Sequence, residues 1–98
     1  MVRIFLLILL FLTTTAGAET VSVTHRGLVD LAPFTCTATQ SSFVHRACYD
    51  AERAYLVLLL NSTYYDYCGV PVEVHSALLR SSSKGRFFNS YIKNRFHC

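Results

Sequence analysis

The chain reads as a small α+β domain: a three-stranded antiparallel meander followed by two helices packed on one face, in the order βββαα, stabilised by disulfides. Three observations predict this. Apolar and aromatic runs separated by short turns fill the middle of the chain, and a helical apolar period replaces them after Pro71. Four cysteines also sit in a chain too short to bury a large core. Strands grouped ahead of helices favour α+β over an alternating α/β fold.

Residues 1–18 have the layout of a secretory signal. Arg3 supplies a positive start, Ile4 to Leu12 is an unbroken apolar run, and Ala16-Gly17-Ala18 offers small side chains for cleavage. The run is short of the roughly 20 apolar residues that a bilayer span needs. The expected location is therefore secreted or periplasmic, with no membrane anchor after cleavage. Residues 19–40 form an extended N-terminal segment in this reading: mostly polar, interrupted by Pro33, and partly ordered at best.

The domain proper is expected over 41–98. Phe43 to Tyr49 is β-branched and aromatic, so it reads as a first strand, and Asp50 to Arg53 reads as a turn. Tyr55 to Leu60 is apolar at every position, which predicts a central strand covered on both faces. Asn61-Ser62-Thr63 is a tight turn, and Tyr64 to Cys68 is a third strand. Connections this short favour antiparallel pairing. Gly69-Val70-Pro71 breaks the strand, and Pro71 suits the first turn of a helix. Val74, Ala77 and Leu78 make an apolar stripe at helical spacing. One of Ser81-Ser82-Ser83 caps a second helix. There Phe88, Tyr91, Ile92 and Phe96 share the core face, with Arg86, Ser90 and Lys93 opposite.

Cys36, Cys48, Cys68 and Cys98 are an even set in a short exported chain, which predicts two disulfides. Zinc is disfavoured because no C-x-x-C pair occurs. Of the three pairings open to four cysteines, Cys48–Cys68 with Cys36–Cys98 is the favoured one, the second bridge clasping the entry and exit of the domain. In a meander the first and third strands lie ~9.6 Å apart, beyond the ~7 Å limit for bridged Cα atoms, so that pairing requires the sheet to curl.

Several of these segments together resemble the KTSC domain family. They are Ser41-Ser42, Cys48-Tyr49-Asp50, Tyr65-Asp66-Tyr67, Val70-Pro71, Ser83-Lys84-Gly85-Arg86-Phe87-Phe88-Asn89 and Ile92-Lys93. The family takes its name from the C-terminus of some lysyl-tRNA synthetases and also occurs as stand-alone bacterial proteins. The resemblance implies that Tyr65, Tyr67, Pro71 and Asn89 are motif positions. It implies no activity, because none is established for the family; RNA binding has been suggested on general grounds. The export signal and the four cysteines depart from the family pattern and weaken the RNA suggestion. Asn61-Ser62-Thr63 fits an N-glycosylation acceptor, but in the bacterial source that the resemblance implies it would carry no sugar.

Catalytic machinery is not expected. His45 is three residues from Cys48, which places the two on opposite faces of a strand, and oxidised sulfurs cannot act as nucleophiles. His25, His45, His75 and His97 are scattered, so they read as surface residues, with no metal site and no cofactor. Removing Arg3 with the signal leaves eight Lys+Arg against six Asp+Glu, a net charge of +2. Arg80, Lys84, Arg86, Lys93 and Arg95 lie in the last nineteen residues with no acid among them. Ser83, Lys84, Gly85, Arg86 and Lys93 are therefore the candidate anion-binding residues, since free amides and cations converge at a helix start. Two functions remain in view. One is a non-enzymatic protein-interaction module, binding a partner by strand addition to an exposed edge at Phe43–Tyr49 or Tyr64–Cys68. The other is binding of nucleic acid or another polyanion through the basic C-terminal helix.

Overall fold

A computed structural model describes residues 19–98; the signal expected over 1–18 lies outside the described residues. The elements are β1 (Thr20–Val23), β2 (Gly27–Asp30), β3 (Thr35–Ala38), β4 (Val44–Asp50), β5 (Tyr55–Leu60), β6 (Thr63–Tyr67), α1 (Val72–Arg80) and α2 (Lys84–Tyr91). They form one mixed sheet of six strands in the order β2-β1-β6-β5-β4-β3, followed by the two helices.

The α+β class holds, but the three-stranded meander must be corrected. The expected meander is the inner part of the sheet, β4-β5-β6. The supposed lead-in supplies three further strands of four residues each. β1 and β2 form an antiparallel hairpin, and β1 joins β6 in parallel through the single register pair Val23↔Tyr64. β3 pairs with β4 on the far side. The strands expected to be free edges are therefore inner ones; the true edges are β2 and β3.

Local chemistry explains the boundaries. The Ser41 hydroxyl accepts from the amides of Phe43 and Val44 and starts β4. A bulge between Val44 and Arg46 inserts one extra residue, so Val44 shares a face with Ala47 and Tyr49, which strict alternation forbids. Asp50 ends β4 by accepting from the amides of Glu52 and Arg53. Asn61 turns β5 into β6 with φ of 57°, a conformation that asparagine tolerates. The Pro71 carbonyl accepts from Val74 and His75, which makes Pro71 the N-cap of α1. The Ser83 hydroxyl accepts from the Arg86 amide and caps α2.

β5 is buried on both faces. Leu56 and Leu58 face the helices with Val44, Val70, Leu78, Phe88 and Ile92. Tyr55 and Val57 face away, into a second cluster with Val21, Val23 and Leu31. The β1–β2 hairpin thus curls over the back of the meander, and two contacts fasten it. Arg46 on β4 donates to both Glu19 carboxylate oxygens, at 2.7 and 2.8 Å, and to the Tyr64 hydroxyl. Arg26 and the Tyr55 hydroxyl both donate to Asp66, each at 2.7 Å.

Tyr91 needs a second correction. Phe88 and Ile92 occupy the core, and Phe96 is partly buried. Tyr91, expected on that face, is 58% exposed and lies against Phe87. α2 ends at Tyr91, and the i, i+4 pair Phe88–Ile92 already fills the space against the sheet.

Candidate ligand-binding surface

The disulfides are Cys36–Cys48 and Cys68–Cys98. The favoured pairing is therefore wrong, for a clear physical reason. β3 was not expected as a strand, yet Cys36 on it is the direct register partner of Cys48 on β4. Cys68 lies just past β6, where its amide donates to the Phe96 carbonyl and brings Cys98 within reach. All four sulfurs are consumed in cross-links, and none is free. Two disulfides fit an oxidising, extracellular type of compartment. Among the described residues no helix is long and apolar enough to cross a membrane, and no cluster of metal-binding side chains occurs.

Two depressions flank Phe43, which lines both. The smaller, of about 370 Å³, gathers residues far apart in sequence: Ser41 and Ser42 ahead of β4, and Ser83, Arg86 and Asn89 on and before α2. It brings together the motif serines and four of the five expected anion-binding residues. Lys84 lines it, but its ammonium donates to the Ser81 carbonyl at 2.8 Å, so its charge is tied to the loop. Gly85 is there for packing: a Cβ would lie 2.6 Å from the Phe43 ring, which is itself edge-on to Phe88. Arg86 is exposed. The first turn of α2 contains no acid, the reverse of what the helix dipole favours.

The larger depression, of about 900 Å³, is a groove on the helix side of the sheet, where the helices leave Tyr65 of β6 exposed. Its floor is Leu60, Tyr65 and Tyr67, with Phe43, Phe88 and Phe96 along the side. The turn after β1 forms one wall and the segment after α2 the other. Lys93, the fifth anion-binding candidate, lies here with Arg95, away from Arg86. Of the motif positions, Tyr65 is exposed and Tyr67 sits edge-on to Phe88 at 5.8 Å. Burial, reinforced by the neighbouring Tyr65 and Asp66, pushes the Tyr67 phenol up to about 12. Burial and the bond to Asp66 push Tyr55 up to about 12 as well.

The structure also holds polar features that sequence reasoning missed. His75, expected at the surface, is 9% exposed and stacks on Tyr49 at 4.5 Å. Its Nε2 has no partner among the described residues, and burial lowers its pKa. The Tyr49 hydroxyl donates to the buried Val70 carbonyl at 2.6 Å. Arg53 bonds Asp50 at 2.5 Å and lies over the rings of Phe34 and Tyr55. No single-sequence signal pointed to these pairs.

The geometry defines a small, doubly cross-linked α+β domain with a curled sheet and an open groove beside its second helix. The KTSC domain family model matches residues 40–96, and the chain belongs to that family. Its fold is similar to the crystal structure of a KTSC domain protein from Yersinia pestis, at 32% identity and a TM-score of 0.63. The match covers 66% of this chain and 93% of that one. No curated protein matches the chain. The β1–β2 hairpin and β3 precede the family-matched residues.

Proposed function

We propose that the protein is an exported, non-enzymatic interaction module that binds a protein partner in the groove over Leu60, Tyr65 and Tyr67. The observation that carries this reading is the groove itself, a concavity of about 900 Å³ with Tyr65 exposed on its floor. The signal-like start and the paired cysteines support a secreted or periplasmic setting. β4 is flanked along its length and β6 only where β1 meets Tyr64, which supports the sheet face beside β6 rather than a fully free edge strand as the surface in this reading. Tyr65 is the position to probe. A photo-reactive residue there, in the exporting cell, is expected to cross-link to a distinct partner. Absence of any adduct, with a control position on the β2 edge equally silent, contradicts the reading.

A second reading, binding of a polyanion, is favoured by one observation: α2 starts with Lys84 and Arg86 and no acid. Retention on heparin that disappears in the Arg86→Ala, Lys93→Ala double variant would support it.

A further inference from the structure

The groove combines unpaired charge with an open main-chain site. Tyr64 uses its carbonyl on the outer side of β6 to accept from Thr24 at 3.0 Å, and Cys68 uses its amide there to donate to Phe96 at 3.1 Å. Backbone groups alternate sides along a strand, so the amide and carbonyl of Asp66 face the same outer side, between those two bonds. Neither has a backbone partner among the described residues. One residue of an extended chain could bond both.

The charges around this point are one-sided. The Asp66 carboxylate is occupied by Arg26 and the Tyr55 hydroxyl. Lys93 and Arg95 make no ion pair among the described residues. Between them and the sheet lies apolar surface from Leu60, Tyr65 and Phe96. Lys93, and Arg95 through the guanidinium nitrogens that its Nε bond to the Ser90 carbonyl leaves over, are two cations on one wall, few for a phosphate backbone, which draws its affinity from many phosphate contacts. A mixed apolar and cationic groove with a backbone docking point suits a peptide.

Resting on the module reading above, we propose that the groove takes an extended acidic peptide segment of the partner. Its main chain bonds the Asp66 amide and carbonyl, an apolar or aromatic side chain lies on Tyr65 and Leu60, and its carboxylates face Lys93 and Arg95.

Panning the purified, disulfide-bonded protein against random displayed heptapeptides tests this. The expected winners carry Asp or Glu beside an aromatic or large aliphatic residue. A labelled synthetic copy of a winner should shift the Asp66 amide resonance and slow its exchange. Its affinity should fall at least tenfold in Lys93→Glu/Arg95→Glu and in Tyr65→Ala, yet hold in Arg80→Glu, which lies outside the groove. Winners without acids, no winners, or binding indifferent to the charge reversal would each overturn the proposal. So would displacement of the peptide by a single-stranded 20-mer oligonucleotide that binds more tightly. The two readings fail separately. A Tyr65 cross-link to a neutral or basic partner segment overturns the acidic-peptide proposal alone, whereas absence of any cross-link removes the module reading itself.

Discussion

The two faces of the sheet are built differently. The helix face is a continuous apolar core in which Leu56, Leu58, Leu78 and Ile92 are wholly buried. The hairpin face is a smaller cluster, closed by short strands and fastened by Arg46–Glu19 and Arg26–Asp66–Tyr55. The first face is held by area removed from water, the second by a few long-range polar contacts and a cross-link. Substitutions and pH should therefore act on them unequally.

The largest loss is expected on the helix face. Phe88→Ala removes a side chain that meets both Phe43 and Tyr67 edge-on, and should cost about 3–5 kcal/mol in a denaturant titration. Val21→Ala, its counterpart under the hairpin, should cost no more than about 2 kcal/mol. Equal losses would break the distinction.

The cross-links come next. Loop-closure entropy gives about 3.5 kcal/mol for Cys68–Cys98 and about 3 kcal/mol for Cys36–Cys48, from sequence separations of 30 and 12. Replacing each pair by alanine and comparing melting temperatures checks the order. Removal of Cys68–Cys98 should also loosen the wall of the groove that carries Lys93 and Arg95, whereas removal of Cys36–Cys48 should leave the groove intact.

A smaller effect comes from a polar contact on the hairpin face. Tyr55→Phe leaves Asp66 with Arg26 alone and should cost about 1–2 kcal/mol. The Tyr55 phenol is raised to about 12 from an ordinary 10.0. Its contribution is thus complete below pH 10 and is lost as pH rises toward 12. Tyr67 behaves alike. An alkaline unfolding titration should show a shallower limb in Tyr55→Phe.

The smallest effect is at acid pH, and it has a different onset on each face. The His75 imidazole titrates below its ordinary 6.5 because burial disfavours its charge. Its contribution is present above pH 6.5 and is lost as pH falls through the depressed value. On the hairpin face, Glu19 and Asp50 are lowered by hydrogen bonds from Arg46 and Arg53. What they contribute is complete above the ordinary carboxylate range and is lost as pH falls through that range toward the lowered values. His75→Leu should flatten the first part of the acid limb and leave the second unchanged.

The same contrast explains what was legible in the sequence. Tyr55 to Leu60 announced a strand covered on both sides because every position is apolar, and the Val74–Leu78 stripe announced α1. Both signals are local. The hairpin strands were missed because four residues give a period-2 pattern almost no length. In β3 the run Thr35-Cys36-Thr37-Ala38 carries little apolar character at all. Their stability comes from partners up to 40 residues away, as in Arg26–Asp66. The disulfide pairing failed for the same reason, since Cys36 meets Cys48 only because β3 exists. At the candidate surface, the motif serines and the start of α2 were named, but their separation from Lys93 by Phe43 was not, because relative position on a packed surface depends on tertiary contacts.

The central claim is that residues 20–38 are a folded cover over the second face of the sheet. Amide hydrogen exchange tests it directly, because three backbone bonds tie that segment down: Thr24 to Tyr64, Leu31 to Glu19, and Thr39, just beyond β3, to His45. Those three amides are expected to exchange at least a hundredfold more slowly than unstructured peptide. Exchange of all three at the unstructured rate, with Leu56 and Leu58 still protected, would contradict it.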